Sequence, residues 1–403
     1  MSPTDLPAFP FEGMTGLDAF ELFAQLRERD PVRPVRVPSG GHVYLVAGYE
    51  DVRRVFTDPV FSRVALQRED VTVLIPASRI PGTMLNMDPP DHTRMRKLTA
   101  RAFTTGAVER MRPRIQAFAD DLVDAMQGHG PPVDFVTSFA TVLPATVISD
   151  LLGVPAEDQH QLREWLEIVL SAGLYSPEEI QTALIAMQAY LTGLIAAKRG
   201  TPADDLLSAL IAARDQDDRL SEPELLSTLF LLIAGGYETT ASILTNSVLL
   251  LGYHHPDQLD LLRRTPELIP GAVEELLRCV PMAWCAPERV ALENVELSGV
   301  LITAGTTVVP LIYAANRDNA LVDEPERLDL TRTNHTPHLA FGHGIHACLG
   351  APLARLEAKI ALTLLLERFH NIQRVPGVAL EPIGSDLVYG VKHLPVTFRH
   401  GTK

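Results

Sequence analysis

The decapeptide Phe341-Gly342-His343-Gly344-Ile345-His346-Ala347-Cys348-Leu349-Gly350 constrains this chain more than any other stretch. Three glycines and a phenylalanine bracket one cysteine. Glycine lets a backbone turn tightly and approach a flat partner closely. A helix follows at once: Leu353, Leu356, Ile360 and Leu364 recur at helical spacing before Phe369, and Pro352 falls where a first helical turn tolerates it. Cys348 therefore stands just before a helix N-terminus, where partial positive charge and unpaired N–H groups favour thiolate over thiol. A thiolate so placed suits a metal. The bland alternative is a buried, inert cysteine in a glycine-rich turn. Zinc is a second alternative, because His335, His338, His343, His346 and Cys348 crowd together. Zinc sites usually add a distant second pair of ligands, and none is visible.

The pattern Phe-Gly-x-Gly-x-His-x-Cys-x-Gly resembles the haem-binding loop of the cytochrome P-450 superfamily, the haem-thiolate monooxygenases. The resemblance implies haem b, with Cys348 as the iron ligand and Phe341, His346 and Gly350 around the cofactor. Its further motifs fall in the family's order over nearly the whole chain.

At 403 residues, two or three domains would be an ordinary count. No composition shift, low-complexity tract or charge block marks a linker, however, and the resemblance implies one domain over 1–403. Apolar residues at 46% suffice for a sizeable core. The 35 basic and 50 acidic residues leave a net charge of −15, which argues against nucleic acid and against an anionic membrane surface. Three cysteines, Cys279, Cys285 and Cys348, indicate no disulfide framework and suit a reducing cytoplasm. Residues 1–13 lack the basic and apolar runs of a signal peptide. The most apolar stretch, 225–251, is interrupted by Gly235, Gly236, Glu238, Thr239 and Thr240, a cluster a membrane span would rarely carry. The resemblance is to the soluble bacterial branch, and a cytoplasmic monomer is the expectation.

Along the chain, 1–30 reads as a polar entry and a short helix with Leu17, Phe20 and Phe23 on one face. Residues 35–37 and 43–46, around Ser39-Gly40-Gly41, read as a β-hairpin, and a helix follows over about 50–56. Residues 59–87 show no period but are too apolar for disorder. A loop that long is usually functional, and in the family it covers the substrate. From 91 to 220 the chain reads as helices beginning near Asp91, Thr105, Pro132, Ala156, Ser176 and Pro202. The central helix starts at a capping-box pattern, Ser221 and Glu224, and runs to about 251. Helices at about 257–264 and 268–280 precede a hairpin at 295–297 and 300–303, a strand at 306–311 and a last β region at about 378–398. The fold class is mostly α with a minor segregated β part. The resemblance makes it the cytochrome P-450 fold, with haem buried between the central helix and the cysteine-loop helix.

Gly235-Gly236-Tyr237-Glu238-Thr239-Thr240 sits in the middle of the best helix. Each glycine there costs about 1 kcal/mol against alanine. Glycine admits a flat ligand to the backbone, and the neighbouring hydroxyls can bend the helix. Glu238 beside Thr239 pairs a proton-relaying acid with an alcohol that can hold water. A helix crossing that needs small residues is the alternative, but the segment resembles the family's oxygen-activating motif. Haem propionates call for cationic donors. His92 and Arg96 after Asp88-Pro89-Pro90-Asp91, Arg289, and His346 each match a family position. Glu275 and Arg278, three apart on one helix, resemble the family's structural pair, and Asn316-Arg317-Asp318 a structural turn.

The resemblance implies a monooxygenase acting on an apolar or mixed small molecule by hydroxylation or epoxidation in secondary metabolism or catabolism. Electrons would come from a ferredoxin or flavodoxin, because no flavin or iron–sulfur segment is visible in these residues. Lys97 and Arg101, with Arg355 and Lys359, offer a basic docking patch. Oxidative C–C or C–N coupling, or a non-enzymatic haem sensor, are the alternatives. Tyr237, Pro281-Met282-Ala283-Trp284 and the turn near Leu387-Val388 are expected to contact substrate.

Overall fold

The structure, a computed structural model, describes residues 6–11, 20–38, 40–79, 81–170, 175–214, 220–333, 337–383 and 388–400. In chain order its regular elements begin with α1 (Phe20–Arg29), β1 (Val32–Arg36), β2 (His42–Val46), α2 (Tyr49–Thr57) and β3 (Phe61–Ser62). Then come α3 (Asp91–Thr99), α4 (Thr105–His129), β4 (Val133–Asp134), α5 (Val142–Leu151) and α6 (Gln159–Leu170). The long helices α7 (Pro177–Gly200) and α9 (Glu222–Leu249) flank α8 (Leu206–Arg214). After α10 (Pro256–Arg264) and α11 (Ile269–Cys279) lie β5 (Arg289–Ala291), β6 (Val295–Leu297), β7 (Val300–Ile302), β8 (Thr307–Pro310) and α12 (Ile312–Ala315). The chain closes with α13 (Ala351–Arg368), β9 (Phe369–Arg374) and β10 (Pro395–His400).

Cap chemistry sets the helix starts. Ser221 Oγ accepts from the Glu224 amide while the Glu224 carboxylate accepts from the Ser221 amide at 2.7 Å, so two otherwise unpaired donors are satisfied at the mouth of α9. Ser176 and Glu179 do the same for α7. Gly350 caps α13, with Pro352 in its first turn. The whole predicted apolar stripe of α13, Leu353, Leu356, Ile360 and Leu364, is buried.

The chain divides into two compact units. One comprises Met1–Thr93, Glu274–Cys348 and Asp386–Tyr389. Its sheet has the order β1-β2-β8-β5-β3, with β2 parallel to β8 and the other pairs antiparallel. Val46, Val52, Val55, Phe56, Val308 and Ile312 form part of the core there. The predicted first hairpin is present and longer than expected; Ser39 and Leu17 lie outside the described residues. Residues 59–87 are not a bare loop. They hold β3 and tight turns at Val64–Gln67, Pro76–Arg79 and Met84–Asn86, and bury Ala65, Leu66, Val71 and Val73 against Val290.

The second unit comprises Arg94–Val273, Leu349–Ser385 and Gly390–Lys403. It is built around α9, whose second half is buried from Thr240 to Leu249. Its sheet, β4-β10-β9, corrects the expected last β region. The strands are 369–374 and 395–400; between them the described residues make only isolated bridges, such as Pro382 to Val391. The apolar content near 378–398 had drawn the expected strand too far inward, and the two-residue β4 is too short to carry a period. One described helix, α7, is long and apolar enough to cross a membrane by length and composition, although the sequence had directed attention to 225–251.

Candidate active site

In the first unit the cysteine loop folds on itself. The Cys348 amide donates to the Phe341 carbonyl at 2.8 Å, and the Ala347 amide to the Gly344 carbonyl at 3.1 Å. Gly342 and Gly344 take φ of +66° and +70°, where a side chain would be strained. Gly344 has a second reason to be glycine: a Cβ there would lie 2.6 Å from the Phe56 carbonyl of α2. The loop thus closes at a distance from α2 that no side chain permits. Of the three cysteines, Cys348 is exposed while Cys279 and Cys285 are buried. Burial pushes the Cys279 thiol up to about 11, so it stays protonated at neutral pH.

Four predicted companions of Cys348 lie in the same unit. The half-buried His346 ring stands 4.2 Å from the ring of His92, which is 2% exposed. Phe341 is half-buried, its ring near that of His338. Arg289 is 3% exposed, its guanidinium 4.8 Å over the Phe56 ring. Its hydrogen bond among the described residues goes to the Pro287 carbonyl, and no carboxylate stands within ion-pair distance. Burial, and then the neighbouring Arg63 charge, lower its pKa to about 9, so it remains a cation at neutral pH. A buried cation without an ion-pair partner is costly, and an anionic ligand would offset that cost.

A buried knot braces the segment before the loop. Arg278 donates twice to Glu275 at 2.8 Å, and to the carbonyls of Asn316 and Pro325. Glu275 also accepts from Arg332 Nε at 3.0 Å and from the Asp329 amide at 3.1 Å. Asn316 Oδ1 accepts from the Leu339 amide, two residues before Phe341. The predicted structural roles of Glu275, Arg278 and Asn316 match this geometry. The pair is not a surface one, since the side chains are 3% and 5% exposed.

In the second unit the two glycines of α9 have different duties. A Cβ at Gly235 would meet nothing within 4 Å, so the helix is bare on that side. A Cβ at Gly236 would touch Ile148 of α5 at 3.4 Å, so this glycine serves a helix crossing. The helix-crossing alternative therefore holds for Gly236, while Gly235 has no packing neighbour that demands glycine. Thr239 Oγ1 donates to the Gly235 carbonyl at 2.6 Å, and the helix continues unbroken. No hydrogen bond or ion pair reaches Glu238 among the described residues, and desolvation raises its carboxyl to about 7. Tyr237 is 5% exposed, and its hydroxyl donates to Glu167 of α6 at 3.3 Å. One helical step of 100° separates it from Glu238. Arg96 is half-buried on α3, and Gly350 caps α13.

Trp284 is likewise a core residue, ringed by Phe23, Tyr313 and Tyr389. Leu387 and His335 lie outside the described residues, as does the side chain of Arg101. Among the described residues no cluster of three or more His, Cys, Asp or Glu is placed to hold a metal, so the zinc alternative has no site there. Sequence reasoning missed Phe56, Arg63 and Glu288. Only the demand for glycine at 344 hinted at the first, and a lone arginine or glutamate carries no spacing signal.

Comparison with known proteins extends the resemblance. The family model for cytochrome P450 matches residues 20–388. The chain is 45% identical to nocardicin C N-oxygenase of Nocardia uniformis subsp. tsuyamanensis, over 99% of this chain and all of that protein. It is 42% identical to the mycinamicin IV hydroxylase/epoxidase of Micromonospora griseorubida, with the same coverage. Among solved structures, the LnmA cytochrome P450 hydroxylase from the leinamycin pathway of Streptomyces atroolivaceus S-140 matches with a TM-score of 0.90 at 45% identity, over 97% of this chain and all of that one. The chain therefore belongs to the cytochrome P450 family, as a bacterial-type haem-thiolate monooxygenase that binds haem b and inserts one oxygen atom from dioxygen into a small molecule.

Proposed function

We propose that Cys348 is the thiolate ligand of the haem iron and that Arg289, His92, His346 and Arg96 hold the propionates. The observation that carries this reading is the exposure of Cys348 alone among the three cysteines, at the end of a loop turned by two left-handed glycines. The residues present fit the cofactor. The thiol is a soft donor for iron, and the buried, carboxylate-free Arg289 awaits an anion. Gly235 leaves one side of α9 bare for a flat macrocycle, and Phe341 and Gly350 frame the ligand loop. Haem, when bound, would supply the redox and oxygen-transfer chemistry.

The chain's own part is binding and proton handling. Glu238, raised to about 7, holds and releases a proton on its carboxyl oxygen near neutral pH. Thr239 Oγ1, parked on the Gly235 carbonyl, can rotate to position water or an oxygen substituent. Residues 59–87 cover the substrate, an apolar or mixed secondary metabolite that undergoes hydroxylation or epoxidation. N-oxygenation is a second reading, favoured by the 45% identity to nocardicin C N-oxygenase. Both units serve one catalytic domain, in a cytoplasmic monomer. A ferredoxin-type donor docks on the exposed Lys97 with Arg355 and Lys359. The Arg112 bond and charge, and last the Lys359 charge, hold Glu109 below the usual carboxylate range against its desolvation, so this patch carries an acid as well.

Cys348→Ser tests the ligand assignment. The variant is expected to lose the strongly red-shifted Soret band of the reduced, CO-treated protein, and retention of that band would remove Cys348 from the role. Charge reversal at Arg355 is expected to slow reduction by ferredoxin several-fold at low salt and to leave dithionite reduction unchanged. A rate indifferent to both the reversal and ionic strength puts docking elsewhere.

A further inference from the structure

The reaction has no evident use for a second buried glutamate, Glu288, which is 0% exposed. It immediately precedes β5. Strand alternation sends the Arg289 side chain toward Phe56, so Glu288 and Val290 face the other way. On that face Val290 packs with Ala65, Leu66, Val71 and Val73, all from the 59–87 segment. The Glu288 carboxylate is thus placed beneath that segment, where Oε1 accepts from the Ile75 amide at 3.1 Å. Oε2 is buried and has no hydrogen-bond partner among the described residues. The nearest compensation is the charge of Arg63, whose guanidinium donates to the Glu288 carbonyl.

A buried carboxylate with one amide bond costs stability that an apolar neighbour of Val290 would not. The rest of the segment shows what the cost secures. Arg63 is 1% exposed and gathers both ends of the segment, donating to the Leu85 carbonyl at 2.9 Å and to Asn86 Oδ1 at 2.5 Å. Its own amide donates to Asp88 Oδ1 at 2.9 Å. Thr307 of β8 donates to the Thr72 carbonyl at 2.5 Å. Residues 61–75 are therefore tied to the sheet, and Ile75 is the last tie before the Pro76–Arg79 turn. From there to the Arg63 grip at Leu85 the chain spans nine residues.

We propose that Glu288 is a positioning residue for substrate specificity. By holding the Ile75 amide, it fixes where residues 76–84 begin and so which substrate shapes they admit. This rests on the reading that the segment covers the substrate, and the test separates the two. In the wild-type holoenzyme, amide hydrogen exchange resolved to single residues should find Ile75 protected; an unprotected Ile75 overturns the latch without any variant. In Glu288→Ala, exchange at Ile75 and at 77–79 should rise about tenfold, the loss of one hydrogen bond. Glu288→Gln keeps an acceptor oxygen and should restore protection. The same proteins are titrated with imidazole and with a bulky aryl-azole while the haem spectrum is followed. In Glu288→Ala the bulky ligand should gain affinity relative to imidazole, and in Glu288→Gln it should not. Unchanged exchange in Glu288→Ala overturns the latch. Faster exchange with unchanged ligand preference keeps the latch but overturns its role in specificity; the reading that this segment covers substrate falls instead if Met84→Ala, within the segment itself, also leaves the preference unchanged.

Discussion

Glu275 and Glu238 are the same side chain on two helices, each largely withdrawn from water, and the molecule treats them in opposite ways. Burial would push the Glu275 carboxyl up. The bonded Arg278, the Asp329 amide and Arg332 override that and hold it below the usual carboxylate range. Glu238 has only desolvation acting on it, and is raised to about 7. Partners make the first a fixed charge that pins backbone carbonyls and amides to one another. Their lack makes the second a group that changes protonation near neutral pH, which suits a proton carrier. Burial therefore does not separate architecture from chemistry in this chain; the company of the carboxylate does.

The largest expected effect comes from stripping Glu275 of its charge. Glu275→Ala leaves Arg278 and Arg332 without their carboxylate, and removing one member of a buried pair costs about 3–5 kcal/mol. The variant should show a much lower denaturant midpoint and reduced haem content at equal expression. A midpoint within about 1 kcal/mol of wild type would mean that the knot is not structural.

How much of this contrast the sequence disclosed follows from what spacing can encode. The Ser221–Glu224 cap, the α13 stripe and the tight cysteine loop are local, so their residue patterns survive as readable signals. Glu275 and Arg278 are three apart and were legible as a pair. Their burial was not, because Arg332, Asn316 and Pro325 reach them from distant stretches of the chain. Gly235 and Gly236 looked alike until Ile148 of α5 distinguished them. Tyr237 and Trp284 are expected at the substrate, and their contacts with Glu167 and with Phe23, Tyr313 and Tyr389 carry no spacing signal. Glu288 had no legible role at all, since Ile75 is 213 positions away.

An effect of intermediate size should come from the unpartnered acid. Glu238→Gln keeps the shape and removes the titrating proton, so kcat should fall about a hundredfold if general acid catalysis operates there. The wild-type kcat should decline as pH rises through about 7, where the carboxyl loses its proton, and the Gln variant should lack that limb. Thr239→Ala should retain the haem and the substrate-induced spectral shift while diverting electrons to hydrogen peroxide. Peroxide yield, product yield and the pH profile are the measurements. Coupling equal to wild type in both variants would remove the pair from the proton path.

The smallest effect is on stability, and there the two carboxylates should differ in sign. A carboxyl raised in the folded state keeps its proton where the unfolded chain has lost it. Folding is then favoured at low pH, and stability declines as pH rises from the unfolded value, about 4.5, to the folded one. For Glu238 that window closes at about 7. Glu357 of α13, 2% exposed with Oε2 buried and unpartnered among the described residues, is raised to about 8 by desolvation and extends the window. Glutamine at either position removes that residue's share of the decline. Glu238→Gln and Glu357→Gln should therefore match or exceed wild type at pH 8, by on the order of 1 kcal/mol, with no gain at pH 5. Glu275 runs the other way. Its depressed carboxyl contributes stability that is present above the unfolded value and lost as pH falls through the folded one, so Glu275→Gln should be the less stable protein at pH 8. Denaturant midpoints for the three glutamine variants at the two pH values decide the matter. A Glu275→Gln that gains at pH 8, or a Glu238→Gln that loses there, would mean that partners do not separate these two acids.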